Sequence, residues 1–156
     1  MTKRDTLVTL ALLGSAALLA GAWGFQHFGG LEPCKMCIWQ RWPHGAAVIL
    51  GVLVLAGAPR LFISLGAMAA LTTAAIGLYH TGVEKGWWEG PTSCSGTGNG
   101  LSGLSGADLL STEIAKPLVM CDQVVWDFLG LSMASWNALI ALALVAIWLA
   151  AFRSRG

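Results

Sequence analysis

Four apolar stretches separated by polar breaks set the plan of this chain, at roughly 7–28, 38–58, 61–80 and 134–152. Each is close to the ~20 residues that cross a ~30 Å hydrocarbon core. The breaks at Gly29–Pro33 and Ala58–Arg60 are short, so consecutive stretches must run antiparallel. The pattern predicts an all-α integral membrane protein, a four-helix up-down bundle forming a single domain over 1–156. Two outer loops are expected, at about 29–37 and 81–133. Pro33 suits the first helical position of the second span, which then runs from around Cys34 to Gly57. Gly14, Ser15, Gly21 and Gly24 give the first helix small faces for close contact.

Composition agrees: 56% hydrophobic and 11% charged residues exclude an ordinary soluble domain, and a net charge of +1 with no basic run gives no support to nucleic-acid binding. The placement of charge orients the bundle. Lys3 and Arg4 precede the first span, Arg60 lies between the second and third, and Arg153 and Arg155 follow the fourth. The positive-inside rule puts those ends, and both termini, in the cytoplasm. Glu32, Glu84, Glu89, Asp108, Glu113, Asp122 and Asp127 then fall on the outer side. Lys3-Arg4, the apolar run and Ala20-Gly21-Ala22 also resemble a cleavable signal peptide. The run continues through Trp23 and Phe25, however, long enough to span, and either outcome leaves the loops outside.

Seven of the eight tryptophans cluster near the outer interface, the usual place for an aromatic belt. Trp39 and Trp42 are also candidates to line a flat ligand. The long outer loop has three parts: a Gly/Ser-rich stretch from Ser93 to Gly106, an amphipathic stretch over 107–120 interrupted by Pro117, and the segment from Cys121 into the last span. Gly/Ser-rich composition favours a mobile arm, and the amphipathic stretch suits a membrane surface. His27 and His80 read as polar helix ends.

The chemistry lies in the cysteines. Cys34 and Cys37 form a C-x-x-C pair where a loop enters a helix, and Arg41 lies one turn below Cys37, with His44 continuing that stripe. Thiolates are favoured at helix N-termini and beside cations. A charge inside a membrane segment is costly and usually functional. Cys94 and Cys121 lie in the long outer loop, so all four cysteines face one compartment, and disulfides persist in oxidising places such as the periplasm. Four cysteines allow three pairings. A zinc site using all four thiols would need them reduced there and would leave Arg41 unexplained, so no metal is expected. Haem attachment is excluded because Ile38, not a histidine, follows Cys37. A disulfide-stapled scaffold without redox turnover is the rival from another class. The favoured reading is a disulfide-exchange enzyme whose electrons pass to a lipid-soluble quinone, with Arg41 stabilising the developing negative charge.

The run Glu32-Pro33-Cys34-Lys35-Met36-Cys37-Ile38-Trp39-Gln40-Arg41-Trp42-Pro43 resembles the first periplasmic segment of the DsbB quinone-linked thiol oxidases of bacteria. Cys121 to Ala134 resembles their second loop leading into the last helix. The resemblance covers nearly the whole chain and implies an inner-membrane, quinone-dependent protein-dithiol oxidoreductase that serves disulfide bond formation. It implies that Cys94 forms the mixed disulfide with a DsbA-type periplasmic thioredoxin-fold partner, and that Cys121 attacks Cys34. Cys37 is then released as the thiolate beside the quinone, ubiquinone or menaquinone, which is bound by Arg41, Cys37, His44 and Trp39.

Overall fold

The computed structural model describes residues 2–91 and 119–154. Among them are four long helices: α1 (Lys3–His27), α2 (Lys35–Leu55), α3 (Leu61–Glu84) and α4 (Met133–Arg153). A small hairpin, β1 (Asp127–Phe128) and β2 (Leu131–Ser132), precedes α4. Cys94 and nearly all of the amphipathic stretch 107–120 lie outside the described residues.

Side-chain caps fix where three of the helices begin. Thr2 and Asp5 form a reciprocal capping box at α1. Ser132 caps α4 by accepting from the Ser135 amide at 3.2 Å. At α2 the cap is Cys34, whose sulfur accepts from the Cys37 amide at 3.1 Å. Pro33 therefore precedes the cap and is not the first helical residue: the thiol takes the capping role usually filled by an oxygen. Pro43 lies inside α2 and lacks the amide hydrogen that would bond one turn back.

α1 packs on α2 and α4, and α3 packs on the same two helices, closing a ring of neighbours. The contacts run in opposite senses. Gln26 near the end of α1 meets Arg41 near the start of α2, and His80 near the end of α3 meets Gln40. Gly66 early in α3 faces Trp148 late in α4, whereas Gly77 faces Ala134 and Ala138. Adjacent helices are thus antiparallel. The close approaches depend on missing side chains, since a Cβ on Gly66 would lie 2.6 Å from the Trp148 ring. Small residues serve this purpose where helices pack without a water-driven hydrophobic force.

One buried cluster, Val8, Ala11, Val54, Ile63, Ala67, Ala70, Leu144, Trp148 and Ala151, fills the end of the bundle holding the termini. Arg60 ties the α2–α3 turn to that end by donating to the Phe152 and Ser154 carbonyls. A second cluster at the opposite end joins Cys34, Met36, Val83 and Cys121. Large apolar side chains such as Leu10, Leu13, Ile49, Val52, Met68, Leu71 and Leu139 point outward. Outward-facing hydrocarbon of this kind suits lipid. α1, α3 and α4 are long and apolar enough to cross a membrane. α2 is broken up by Gln40, Arg41 and His44 in its first half.

Candidate active site

The site grows from the first turn of α2. Capping by Cys34 brings its sulfur to 2.7 Å from that of Cys37, and both thiols are free. A disulfide needs ~2.05 Å between the same atoms, so closing the bond requires only a small movement. The two thiols differ electrostatically. The contact with Cys37, then burial, pushes the Cys34 thiol up, so Cys34 keeps its proton. The hydrogen bond from Cys34 holds Cys37 below the ordinary thiol range, against the opposing effect of burial; the Cys34 backbone and Arg41 add smaller lowering contributions. The anion of the pair therefore belongs to Cys37.

Cys34 is 3% exposed and rests on His80, which is 2% exposed. His80 Nε2 lies 3.6 Å from Cys34 Sγ, 3.2 Å from the Cys121 carbonyl oxygen and 3.8 Å from a Glu84 carboxylate oxygen. Glu84 in turn accepts from the Ser132 hydroxyl. Cys121 itself is disulfide-bonded. One imidazole thus bridges the two cysteine-bearing segments. Read from sequence as a polar helix end, His80 is instead buried at the centre of the site. Only the rotational phase of α3 against α2 reveals this, and a single sequence does not carry that phase.

Beneath Cys37 a cavity of about 440 Å³ opens between α1, α2, α4 and the segment ahead of the hairpin. Cys37, Arg41 and His44 line it, as does an apolar wall from Leu18, Ala22 and Phe25 to Met133 and Ile140. Phe25, Trp126, Phe128 and Trp136 form a run of ring contacts along one side, with centroids 5.4, 6.2 and 6.3 Å apart in succession. The hairpin sets that wall. Its turn uses left-handed backbone at Leu129 (φ 54°) and Gly130 (φ 73°), as a tight two-residue hairpin turn demands. Trp136 Nε1 donates to the Phe128 carbonyl at 3.1 Å.

Arg41 is held from α1: one guanidinium nitrogen donates to Gln26 Oε1 at 2.6 Å and another contacts the Ala22 carbonyl at 3.4 Å. Its Nε is buried without a partner, and so is His44 Nδ1. Trp39 does not join them. It is 40% exposed with the Lys35 ammonium 5.8 Å from its ring centre, and Trp42 is 76% exposed. Trp126 and Trp136 supply the aromatic lining expected of Trp39 and Trp42.

Cys34, Cys37 and His80 bring three donor atoms within 4.8 Å of one another, so a metal is a chemical option. Zinc–sulfur bonds of ~2.3 Å in a tetrahedron hold two sulfurs roughly 3.8 Å apart. The observed 2.7 Å matches a dithiol poised for a disulfide better.

Comparison with known proteins places these residues in context. The family model described as "Disulfide bond formation protein DsbB" matches residues 4–151. The chain is 35% identical over 163 residues to Disulfide bond formation protein B of Verminephrobacter eiseniae, covering 99% of this chain and 88% of the relative. The Azoarcus sp. protein of that name is 32% identical, with 86% and 84% covered. Disulfide bond formation protein B 2 of Pseudomonas aeruginosa is 30% identical, with 80% and 76% covered. No solved structure gives a significant match.

Proposed function

This chain belongs to the DsbB family, and on that premise we propose that it reoxidises a periplasmic DsbA-type dithiol protein and passes the electrons to a membrane quinone. The observation that carries the reading is Cys37 on the wall of the cavity, beside an arginine whose Nε has no partner. A cavity of about 440 Å³ is within the ~300–1,000 Å³ of small-molecule sites. Its aromatic and aliphatic walls suit a flat head group with a polyprenyl tail, and Arg41 suits the head group's oxygen. A bound quinone supplies an acceptor for two electrons and two protons.

The chain's own residues carry the exchange in two steps. The partner's dithiol reduces the Cys94–Cys121 disulfide, Cys94 forming the mixed disulfide and the partner leaving oxidised. In the second, the Cys121 thiolate attacks Cys34 of an oxidised Cys34–Cys37 pair, forming a Cys34–Cys121 disulfide and freeing Cys37 as the thiolate. Cys94 resolves that disulfide by attacking Cys121, which restores Cys94–Cys121 and releases Cys34. The packing of Cys121 with Cys34, and the His80 bridge between them, support this attack site. Arg41 holds the charge on the cavity side. In this reading all four helices span the inner membrane, α2 included, with the termini in the cytoplasm and the cysteine-bearing segments in the periplasm.

Anaerobic turnover of the purified full-length chain with a reduced DsbA-type protein and ubiquinone or menaquinone tests the proposal. It predicts one quinol for each partner disulfide formed, and no quinol from Cys37→Ala. Failure with both quinones would leave a disulfide-stapled membrane scaffold as the better reading.

A further inference from the structure

The cavity wall carries a second unpartnered polar side chain, and its chemistry can be worked out from fixed points in the backbone. Gln40 Nε2 faces the Met36 carbonyl at 3.3 Å, and a carbonyl can only accept, so this end of Gln40 is its amide nitrogen. Its Oε1 therefore faces Asn137, which donates through Nδ2 at 2.7 Å. A second anchor agrees: the Thr73 hydroxyl gives its hydrogen to the Gln40 carbonyl at 3.0 Å and so accepts from the same Asn137 nitrogen at 3.2 Å. Both anchors leave Asn137 Oδ1 toward His44 Nε2, 2.9 Å away. An amide oxygen only accepts, so His44 carries its hydrogen on Nε2. In the neutral ring, Nδ1 is then a bare acceptor. That atom is buried, has no partner, and belongs to a side chain on the cavity wall.

Arg41 Nε is a donor in every state. Arg41 and His44, three residues apart on one face of α2 and both on the cavity wall, therefore hold one unpaired donor and one unpaired acceptor just beneath its surface, within reach of a ligand that shifts either side chain slightly. The oxidised head group of a quinone carries only acceptors; the reduced head group carries hydroxyl donors as well. We infer that His44, locked by Asn137, makes this cavity hold the reduced, hydroxyl-bearing form of its ligand more tightly than the oxidised form. This inference rests on the reading of the cavity as a quinone site. A carbonyl opposite Nδ1 leaves two acceptors face to face, and buried polar groups left unpaired are costly. The expected preference, of order tenfold, is one ordinary buried hydrogen bond.

The test is a redox titration of bound 1,4-naphthoquinone and its hydroquinone on the full-length protein in detergent, with Cys37→Ala as the background so that no thiol exchanges electrons with the probe. Tighter binding of the reduced form by about tenfold raises the midpoint potential of the bound couple above the free couple by about 30 mV. His44→Leu should remove that rise. Asn137→Leu should diminish it while keeping the imidazole, and it decides the matter if His44→Leu does not fold. A bound couple with no rise, or a rise that persists in the variants, would overturn the inference and leave the quinone reading standing. No binding of either form to the background protein would overturn the quinone reading itself, and the inference with it.

Discussion

His80 Nε2 stands 3.6 Å from Cys34 Sγ while also bonding the carbonyl of Cys121. Gln40 Nε2 donates to the Met36 carbonyl and, with its other hydrogen, to His80 Nδ1 at 3.0 Å, so the ring's own hydrogen lies on Nε2, toward Cys34 and Cys121. The Cys121 carbonyl is the nearer acceptor of that hydrogen, and Cys34 Sγ lies within reach of it, so His80 is placed to stabilise Cys34 when that sulfur is released as a thiolate. His80→Ala should slow reduction of the Cys34–Cys37 disulfide by Cys121 by roughly 10- to 100-fold, the worth of one hydrogen bond to a charged group. Stopped-flow reduction by the partner protein, with quinone affinity measured in parallel, checks this. Equal losses in both would point to general collapse of the site instead.

The asymmetry of the thiols makes a pH prediction. Cys37 is held below the ordinary thiol range and Cys34 above it. Alkylation requires the thiolate, so Cys37 should keep reacting as pH falls below the usual thiol value and slow only through its own lower one. Cys34 should stay unreactive as pH rises through the value at which a free cysteine ionises. Because Cys34 is the leading cause of the Cys37 shift and Arg41 a lesser one, Cys34→Ala should move the Cys37 profile upward further than Arg41→Ala. Mass-spectrometric alkylation rates at each cysteine would show the order.

Much of this centre was legible in the chain before any coordinates. The C-x-x-C spacing and Arg41 one turn on brought dithiol and cation together on one helix, because neighbours along a helix need no tertiary information. The partners from other helices were not legible: Gln26, His80 and Asn137 sit on α1, α3 and α4, and their meeting depends on helix rotation. Trp39 illustrates the same limit. Next to the redox pair in sequence, it turns outward on the helix, while Trp126 and Trp136 reach the cavity through a hairpin turn at Leu129-Gly130 that a loop-like sequence conceals.

Arg41 depends on Gln26 for its position. Gln26→Leu should raise the KM for quinone by about three- to tenfold with little change in kcat, and Arg41→Ala should raise it by about 10- to 100-fold, following the worth of neutral and charged hydrogen bonds. Steady-state kinetics at limiting quinone would separate them. An unaltered KM in Arg41→Ala would remove Arg41 from the binding site.

Packing at the other end of the bundle carries its own prediction. Trp148 is fully buried, and a Cβ at Gly66 would overlap its ring at 2.6 Å. Gly66→Ala should destabilise the bundle by about 1–3 kcal/mol, the usual cost of overpacking. The milder contacts of Gly77 with Ala134 and Ala138, at 3.1 Å, predict a smaller loss for Gly77→Ala. Thermal unfolding of both variants in one detergent ranks them.

The central claim is that Cys34 and Cys37 hand their electrons directly to a quinone in the cavity below them. The most direct test takes the chain carrying Cys94→Ala and Cys121→Ala, so that no second pair can draw the disulfide away. The protein is reduced fully, freed of reductant, and given one equivalent of quinone without any partner protein. Quinol absorbance and differential alkylation of the cysteines are then read together. The account predicts one quinol per Cys34–Cys37 disulfide formed in this two-cysteine protein and no quinol when Cys37→Ala is added. Quinol formed while Cys34 and Cys37 remain alkylatable, or no quinol at all, would contradict it.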